Sequence, residues 1–335
     1  MAQEKHYTWL SAHLYFDEPW EDFLIKIVKP YCETVVGSSA AEYYFFIRYW
    51  DRGPHIRLRF YGKKEALENI LRPNLEEYFK NFFRMTPSER DEPSYHPNTP
   101  EEEIWLPNNS VQWIDYQPEM ERYGGKYGVA LTERNFAASS RTVLQCMEDV
   151  GSKNWTYEQG LGIAIKLHLS FVHAMGMNLS DVAEFFNGIF YHWLPLTLQR
   201  ERITQAQLTQ QGDTILYSFE QFFAGQQEAL VSYHAAFWEA LSESADFEDD
   251  FLNEWYKSCQ FTRQEVMLAE AQDLLVERTE KYRISFFEHK EKKDCLRWEI
   301  YADFFHLTNN RLGILNRDES YLAYLMMRSV EHLSE

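Results

Sequence analysis

The sequence predicts an α+β fold in which a strand-containing part, residues 1–130, is followed by a mainly helical part, residues 131–335. Two observations carry this prediction. Short segments rich in aromatic and β-branched residues, which are typical of strands, are concentrated in the first part. In the second part apolar residues recur at the spacing of amphipathic helices. No linker separates the two, so we expect the helical part to pack on the first as one continuous body.

The elements of the first part follow one another in a recognisable order. Strands are predicted at Tyr7–Phe16, Tyr43–Trp50, His55–Tyr61 and Val111–Tyr116, and helices from Pro19 to Gly37 and at Lys64–Phe83. The short turn at Asp51–Pro54 makes the second and third strands antiparallel. Strand, helix, strand, strand, helix, strand is the split βαβ order of a ferredoxin-like layer. A polar stretch with five prolines, residues 86–109, is predicted to form a long irregular loop.

The second part contains seven helical patterns. They are Arg134–Asp149, Tyr157–Met175, Asp181–Trp193, Thr204–Ser242, Thr262–His289, Lys293–Asn309 and Asp318–Leu333. Ser180 is a candidate N-cap of the third helix. Gly212 and Gly225 are expected to interrupt the fourth helix.

The charge and the cysteines narrow the class of protein. The formal net charge is −19, which disfavours binding to nucleic acid. The four cysteines form neither a CxxC pair nor a metal-ligand spacing, and a chain this long needs no disulfide framework. Residues 1–5 lead into Tyr7–Leu10 without the apolar segment of a signal peptide, and no apolar run is long enough to span a bilayer. We therefore expect a cytoplasmic protein that binds no membrane.

The third predicted strand carries an unusual run of cations. Alternation places His55, Arg57 and Arg59 on one face of the strand, and Ile56, Leu58 and Phe60 on the other, beneath the helices. Arginine suits bidentate binding of a carboxylate, so the cationic face is a candidate anion site. From spacing alone, a solvated face or structural salt bridges explain the same pattern.

Two further clusters contain residues suited to chemistry. Glu119 and Arg122 precede the paired glycines Gly124 and Gly125, after the fourth strand. His306 lies near the end of an amphipathic helix, where it is a candidate acid or base. A capping turn with a surface ion pair, and a core or capping histidine, are the structural alternatives.

Several familiar motifs are absent. The chain has no phosphate-binding or dinucleotide-binding glycine loop, no Gly-x-Ser-x-Gly elbow and no His-Glu-x-x-His metal helix. We therefore predict neither a cofactor nor a metal. Residue patterns alone indicate an enzyme or a binding protein with an arginine-rich pocket.

Taken in order along the chain, the clusters resemble the C-terminal domain of lantibiotic dehydratases, also found free-standing as the thiopeptide-type bacteriocin biosynthesis domain. The resemblance covers nearly the whole chain. The motifs that carry it are Trp9, Phe46-Ile47-Arg48-Tyr49, His55-Ile56-Arg57-Leu58-Arg59, Glu119-x-x-Arg122-Tyr123-Gly124-Gly125, Glu133-x-x-Phe136 and His306 followed by Asn310-Arg311-Leu312.

The resemblance implies a reaction on a ribosomal peptide. In this family a separate N-terminal part transfers glutamate from glutamyl-tRNA to Ser or Thr side chains. The C-terminal part then eliminates glutamate, leaving dehydroalanine or dehydrobutyrine. For this chain it implies a lyase whose partners are a glutamylated precursor peptide and a separate tRNA-dependent glutamylation protein. The implied pathway leaves room for a cyclase, and nothing in the sequence fixes whether the chain forms a homodimer.

The resemblance also implies site residues. Arg57, Arg59, Glu119, Arg122 and His306 match the family's elimination residues. Arg57 and Arg59 are expected to bind the glutamyl group, together with His55 and Arg48 as further substrate-binding residues. Arg122 and His306 are expected to stabilise the developing enolate, His306 being also a candidate for proton transfer. Glu119 is expected to orient Arg122.

Two other functions remain open at this stage. One is the formal [4+2] cycloaddition that builds a pyridine ring in thiopeptide biosynthesis, a reaction that does not call for glutamate-binding arginines. The other is non-catalytic binding of a peptide or of a partner dehydratase through aromatic grooves.

Overall fold

The computed structural model describes residues 6–197, 205–243 and 246–333. The chain divides into two compact units. Unit 1 comprises Met1–Pro118 and Phe136–Trp155, and unit 2 comprises Glu119–Asn135 and Thr156–Glu335. Some positions named in the predictions lie outside the described residues. They are residues 1–5 and 334–335, at the outer ends of the two predicted parts, and Thr204, the predicted start of a helix.

Unit 1 contains a four-stranded antiparallel sheet. Its strands are β1 (Tyr7–Tyr15), β2 (Tyr43–Tyr49), β3 (His55–Lys63) and β4 (Ser110–Trp113), in the order β2-β3-β1-β4. β3 lies between β1 and β2 and is antiparallel to both, and β4 pairs with the free side of β1. This is the ferredoxin-like order, so the predicted α+β fold is confirmed. The fourth strand ends at Trp113, three residues earlier than predicted.

Two helices cover one face of this sheet. Helix α1 consists of Glu21–Phe23, a π-helical turn at Leu24–Val28, and Lys29–Gly37. Helix α2 is built in the same way from Lys64–Ala66, Leu67–Leu71 and Arg72–Met85. In each helix a proline, Pro30 or Pro73, follows directly after the first residue beyond the π-helical turn. Because proline lacks an N–H and crowds the preceding turn, the wider turn accommodates it without ending the helix.

The core of unit 1 lies between these helices and the sheet. Ile56, Leu58 and Phe60 of β3 are fully buried, as the alternation predicts. The ring of Phe60 contacts Tyr31 of α1, with ring centroids 6.4 Å apart. The apolar residues of β3 therefore fix which face of the strand is left for His55, Arg57 and Arg59.

The loop 86–109 is tied to the turn between β2 and β3. Arg52 donates hydrogen bonds from Nε to the carbonyl oxygen of Ile104 at 3.1 Å and from Nη2 to that of Glu101 at 3.2 Å. Gly53 has a φ of +102°, and a Cβ at this position would lie 2.7 Å from Nη1 of Arg90. Only glycine satisfies both the backbone conformation and this close approach.

The remaining elements are helices. They are α3 (Gly125–Val150), α4 (Tyr157–Ala174), α5 (Leu179–Thr197), α6 (Gln205–Ser242), α7 (Asp250–Ala271), α8 (Lys292–Leu312) and α9 (Asn316–Glu331). Residues 125–135 of α3 belong to unit 2 and the rest of α3 to unit 1. Helix α8 ends at Leu312, because the residue that follows, Gly313, adopts a left-handed φ of +85°. No described helix is long and apolar enough to cross a membrane.

Three details of the helical prediction are wrong. Helix α6 continues through Gly212 and Gly225. Asn178, not Ser180, caps α5, since the Asn178 Oδ1 accepts a hydrogen bond from the Asp181 N–H at 3.0 Å. The predicted helix Thr262–His289 ends at Ala271. Asp273 adopts a left-handed φ of +51°, and the Val276 N–H then donates to the Gly124 carbonyl oxygen at 2.9 Å, so a tertiary contact replaces the helical bond.

A buried histidine of unit 2 makes its stability depend on pH. His168 is 1% exposed and lies 2.8 Å from the Asn309 Oδ1 through its Nε2. Burial lowers the pKa of His168 from 6.5 to about 4, and the hydrogen bond to Asn309 opposes this only in part. Below pH 6.5 the unfolded chain binds a proton that the folded chain does not. The stabilising contribution is therefore present above pH 6.5 and is lost as the pH falls towards 4.

We accordingly expect the free energy of unfolding to fall between pH 7 and pH 5, with His168 contributing on the order of 2 kcal/mol. Urea unfolding of His168→Gln should show a shallower pH dependence over this interval. His96→Gln, which changes an exposed histidine, is the control and should keep the wild-type slope. Equal slopes for His168→Gln and the wild type would contradict the assignment of a neutral buried ring.

Candidate functional site

The cationic residues of β3 lie together on the sheet face opposite α1 and α2. The strand register pairs His55 with Tyr15, Arg57 with His13, and Arg59 with Ser11 of β1. On the other side β2 contributes Tyr49, Ile47 and Phe45 to the same face. His55 is 1% exposed and Arg59 is 9% exposed, so this face is not the solvated one that spacing alone allowed.

Aromatic rings, not carboxylates, surround Arg57. Its guanidinium carbon lies 3.3 Å from the centroid of the Tyr49 ring, and its Nε lies 3.3 Å from the Nε2 of His55. Arg57 forms no ion pair with any carboxylate of the described residues. Burial lowers the pKa of Arg57 although Tyr49 and Tyr15 act in the opposite direction. The alternative of a structural salt bridge therefore does not apply to Arg57.

Arg59 lies beside a second pair of rings. Its guanidinium carbon is 4.1 Å from the centroid of Tyr116 and 5.4 Å from that of Phe45. A cation over an aromatic face is attracted by the ring and held in place. Both arginines are therefore oriented by aromatic rings on the same face of the sheet.

His55 is neutral, and its hydrogen bonds agree with this. Its Nδ1 lies 2.8 Å from the Gly53 carbonyl oxygen, to which it donates, so that Nε2 accepts from Arg57. Burial, together with the charges of Arg57 and Arg59, lowers the pKa of His55 to about 4, against the effect of the Gly53 bond. His55 orients Arg57 without adding a positive charge.

The sequence analysis missed Ser11 and His13, which share this face. His13 stacks on His55 with ring centroids 4.9 Å apart, and burial lowers its pKa to about 2. The Nδ1 of His13 and the Oγ of Ser11 are buried and have no hydrogen-bond partner among the described residues. The alternation of Ser11 and His13 with Ala12 and Leu14 is visible in the sequence, but their partners on β3 follow only from the register.

Arg48 does not join this group. It pairs with Ile56 in the register and therefore points to the opposite face of the sheet. It is 4% exposed, and its Nη1 lies 3.0 Å from the Oε1 of Glu21 in α1. The predicted substrate-binding role of Arg48 has no support from this position, since the ion pair holds α1 on the sheet.

In unit 2 the principal partner of Arg122 is Asp303. The Arg122 Nη2 and Nε lie 2.6 and 3.0 Å from the Oδ1 of Asp303, whereas the Oε2 of Glu119 is 3.5 Å from Nη1. Burial lowers the pKa of Arg122, but the charge of Asp303 outweighs it and the pKa is raised. Glu119 thus contacts Arg122 as the resemblance implies, but Asp303, which sequence analysis missed, holds it more closely.

Asp303 also accepts a hydrogen bond from Arg278, whose side chain is 1% exposed. The Nε of Arg278 also lies 3.9 Å from the Oε2 of Glu299. Burial raises the pKa of Asp303, but the charges of Arg278 and Arg122 outweigh it and hold the pKa below its usual range. Asp303 is therefore a buried carboxylate between two arginines.

His306 lies three residues after Asp303 in α8 and forms a pair with a buried carboxyl group. Its Nδ1 is 2.7 Å from the Oε1 of Glu319, whose side chain is fully buried. Burial raises the pKa of Glu319, while His306 opposes the shift. The imidazole also stacks on Trp193, with centroids 4.5 Å apart. The Nε2 of His306 has no hydrogen-bond partner among the described residues.

These arrangements define what each unit can do chemically. The β3 face presents arginines and neutral hydrogen-bonding groups to an anion. In unit 2, Arg122 offers a charged guanidinium, and His306 offers an imidazole that is oriented by the carboxyl group of Glu319. These groups are suited to stabilising an oxyanion and to proton transfer. The described residues contain no cluster of histidine, cysteine and acidic side chains that could hold a metal ion.

Comparison with known proteins matches this chain to a protein family. A family model described as lantibiotic biosynthesis dehydratase C-term matches residues 9–330. A curated relative, the subtilin biosynthesis protein SpaB of Bacillus subtilis, is 31% identical over 141 residues, or 37% of this chain. The match spans only 12% of that relative's length.

Solved structures share the fold. The pyridine synthase TbtD from thiomuracin biosynthesis matches with a TM-score of 0.71 and 17% identity, covering 97% of this chain and 98% of that one. The tRNA-dependent lantibiotic dehydratase MibB from Microbispora sp. 107891 matches with a TM-score of 0.58 and 17% identity. All of this chain is covered in that match, but only 29% of MibB. At these identities the likeness concerns the fold alone.

Proposed function

The chain belongs to the lantibiotic dehydratase C-terminal family, and we propose that it eliminates glutamate from glutamylated Ser and Thr side chains of a ribosomal precursor peptide. The products are dehydroalanine and dehydrobutyrine. A separate tRNA-dependent protein would supply the glutamylated peptide, which agrees with the net charge of −19 on this chain.

The observation that carries the proposal is an arginine without a carboxylate partner. Arg57 is partly buried in a chain with 52 acidic residues, yet it contacts Tyr49 and His55 and forms no ion pair with the described residues. Leaving a cation so placed costs free energy unless a ligand neutralises it. The glutamyl ester has a free carboxylate that would do so, with Arg57 and Arg59 as its ligands.

The reaction needs a base and an oxyanion stabiliser. A base removes the α-proton of the modified Ser or Thr, and the electron pair of the C–H bond forms the Cα–Cβ double bond. The Cβ–O bond breaks, and glutamate leaves as a carboxylate. His306, oriented by Glu319 through Nδ1, offers Nε2 as the base.

Arg122 would stabilise the negative charge that develops on the carbonyl oxygen next to the α-carbon. A guanidinium has five N–H donors, and Asp303 and Glu119 leave some of them for this oxygen. Asp303 acts as the main positioning residue of Arg122, and Glu119 supports it. The neutral side chains Ser11 and His13 would accept or donate hydrogen bonds to the peptide beside Arg57 and Arg59.

The test is the intact mass of a glutamylated precursor peptide after incubation with this chain. We expect loss of glutamic acid at each modified Ser or Thr. Arg57→Gln should lower kcat/KM by at least about a hundredfold, because it removes the charge that binds the glutamyl carboxylate. Arg84→Gln, which changes an exposed arginine of α2, should leave the rate unchanged.

The other outcomes of this test overturn the proposal. Consumption of a peptide that already carries dehydroalanines, with no reaction of the glutamyl ester, would assign the cycloaddition reaction instead. Inertness towards both peptides would favour non-catalytic binding. Full activity of Arg57→Gln would remove the β3 face from the reaction.

A further inference from the structure

A cavity of about 590 Å³ in unit 2 contains none of the residues discussed for elimination. It lies between the end of α4, helix α6 and helix α7. Its walls include Trp238, Tyr256, Met177 and Met267, and Arg263 lines it as well. Met267 is 48% exposed, so the cavity opens at the surface along α7.

The walls are fixed by a neutral histidine. The Ser242 Oγ donates to the Trp238 carbonyl oxygen at 2.8 Å and so accepts from the Nε2 of His173, 3.3 Å away. The Nδ1 of His173 then accepts the hydrogen bond of the Tyr256 hydroxyl at 2.8 Å. Burial lowers the pKa of His173, which agrees with a neutral ring. The cavity is therefore preformed by hydrogen bonds between helices.

Arg263 is held in this cavity without a carboxylate. It forms no ion pair or hydrogen bond with the described residues, and no described Asp or Glu lines the cavity. Its guanidinium lies against Gly176, where an added Cβ would be 2.3 Å from Cζ. The left-handed φ of +75° at Gly176 likewise favours glycine. In a chain with 52 acidic and 33 basic residues, an arginine seated in this way and left unneutralised indicates a site for an anion.

The remaining lining residues identify the kind of anion. Trp238, Tyr256 and the two methionines form apolar walls, and methionine adapts readily to the side chains of peptide ligands. The exposed amides of Gln260 and Gln264 supply donors and acceptors of the kind that a peptide backbone needs. We propose that this cavity binds a peptide segment in which a Glu or Asp side chain contacts Arg263 and a neighbouring apolar side chain fills the space between Trp238 and Met267.

This inference rests in part on the proposed function, because an enzyme that modifies a peptide has a peptide to hold. The two are separable by experiment. Arg57→Gln should abolish elimination and leave peptide binding in this cavity unchanged. Arg263→Gln should weaken peptide binding in this cavity, which is measured without elimination and so does not depend on the proposed reaction.

The probe is a pair of acetylated, amidated hexapeptide pools. One pool has Glu fixed at a central position, the other has Gln there, and both are randomised over Ala, Leu, Phe and Ser elsewhere. After incubation with the full chain and rapid gel filtration, mass spectrometry measures which peptides are retained. We expect the wild type to retain Glu peptides that carry Leu or Phe beside the Glu at least about tenfold over their Gln partners, as for a hydrogen-bonded charge.

Arg263→Gln should remove this preference. Gly176→Ala should reduce it, because the added methyl group displaces the guanidinium. Arg134→Gln removes a cation that pairs with Glu265 at 3.7 Å and does not line the cavity, so it should behave as the wild type. Equal retention of the two pools by the wild type, retention of neither, or an undiminished preference in Arg263→Gln would each overturn the proposal.

Discussion

Replacing Asp303 with leucine should lower the free energy of unfolding by about 3–5 kcal/mol, the usual effect of breaking a buried ion pair by removing one partner. The variant leaves Arg278, whose side chain is 1% exposed, with the more distant Glu299 at 3.9 Å as its one carboxylate partner among the described residues, beside its hydrogen bond to the Tyr282 carbonyl oxygen. It also removes the acceptor of two Arg122 hydrogen bonds. Chemical denaturation measures the change. Asp22→Leu, which removes an exposed partner of Lys26, should leave the unfolding curve nearly unchanged.

The double variant Asp303→Leu/Arg278→Met separates stability from activity. Because it removes both buried charges, it should be more stable than Asp303→Leu by at least about 1 kcal/mol, the size of coupling expected between contacting residues. It should nevertheless remain defective in glutamate elimination, since Arg122 has lost its main anchor. Wild-type elimination by the double variant would show that Asp303 serves only the fold.

The case of Asp303 also shows where sequence reasoning stops. Arg122 and Asp303 are 181 residues apart, and nothing in the spacing of either motif indicates the other. Glu119, three residues from Arg122, was the nearest carboxylate that a helical turn offers, and it does contact Arg122 at 3.5 Å. Local spacing thus found the weaker partner, because the stronger one depends on how α8 packs.

The sheet was more predictable for a physical reason. Side-chain direction alternates along a strand, so buried Ile56, Leu58 and Phe60 fix the direction of Arg57 and Arg59 whatever the strand pairs with. Strand order follows from the short turn before His55 and from the crossover rules of a split βαβ unit. The same alternation, applied to Phe46-Ile47-Arg48-Tyr49, would have placed Arg48 opposite Ile47 and Tyr49 and separated it from Arg57.

The chain between α7 and α8 illustrates a different limit. Residues 272–291 carry enough apolar residues to suggest a continued helix, yet they form irregular structure with short turns at Glu280–Tyr282 and Ser285–Phe287. Val276 packs against Gly124 and Gly125, and Arg278 reaches Asp303. Tertiary contacts override helix propensity here, and such contacts leave no periodic signal in the sequence.

Replacing His306 with alanine should reduce the rate of glutamate elimination by about 10²–10⁴-fold, the range expected for loss of a general base. The effect should appear mainly in kcat, since the glutamyl carboxylate is assigned to Arg57 and Arg59. His289→Ala is a matched control. It also removes a histidine paired with a glutamate, at 2.6 Å from Glu184, but its side chain is 58% exposed. This control should keep the wild-type rate.

Glu319→Gln tests how His306 acts. Burial raises the pKa of Glu319, and its Oε1 lies 2.7 Å from the Nδ1 of His306. Glutamine keeps the shape of the side chain but removes the carboxyl group that orients the imidazole. If His306 is the base, kcat should fall while KM stays near the wild-type value, because the Nε2 of His306 is no longer held in a fixed direction. An unchanged kcat would leave His306 and Glu319 as a packing pair beneath Trp193 and assign the base to another group.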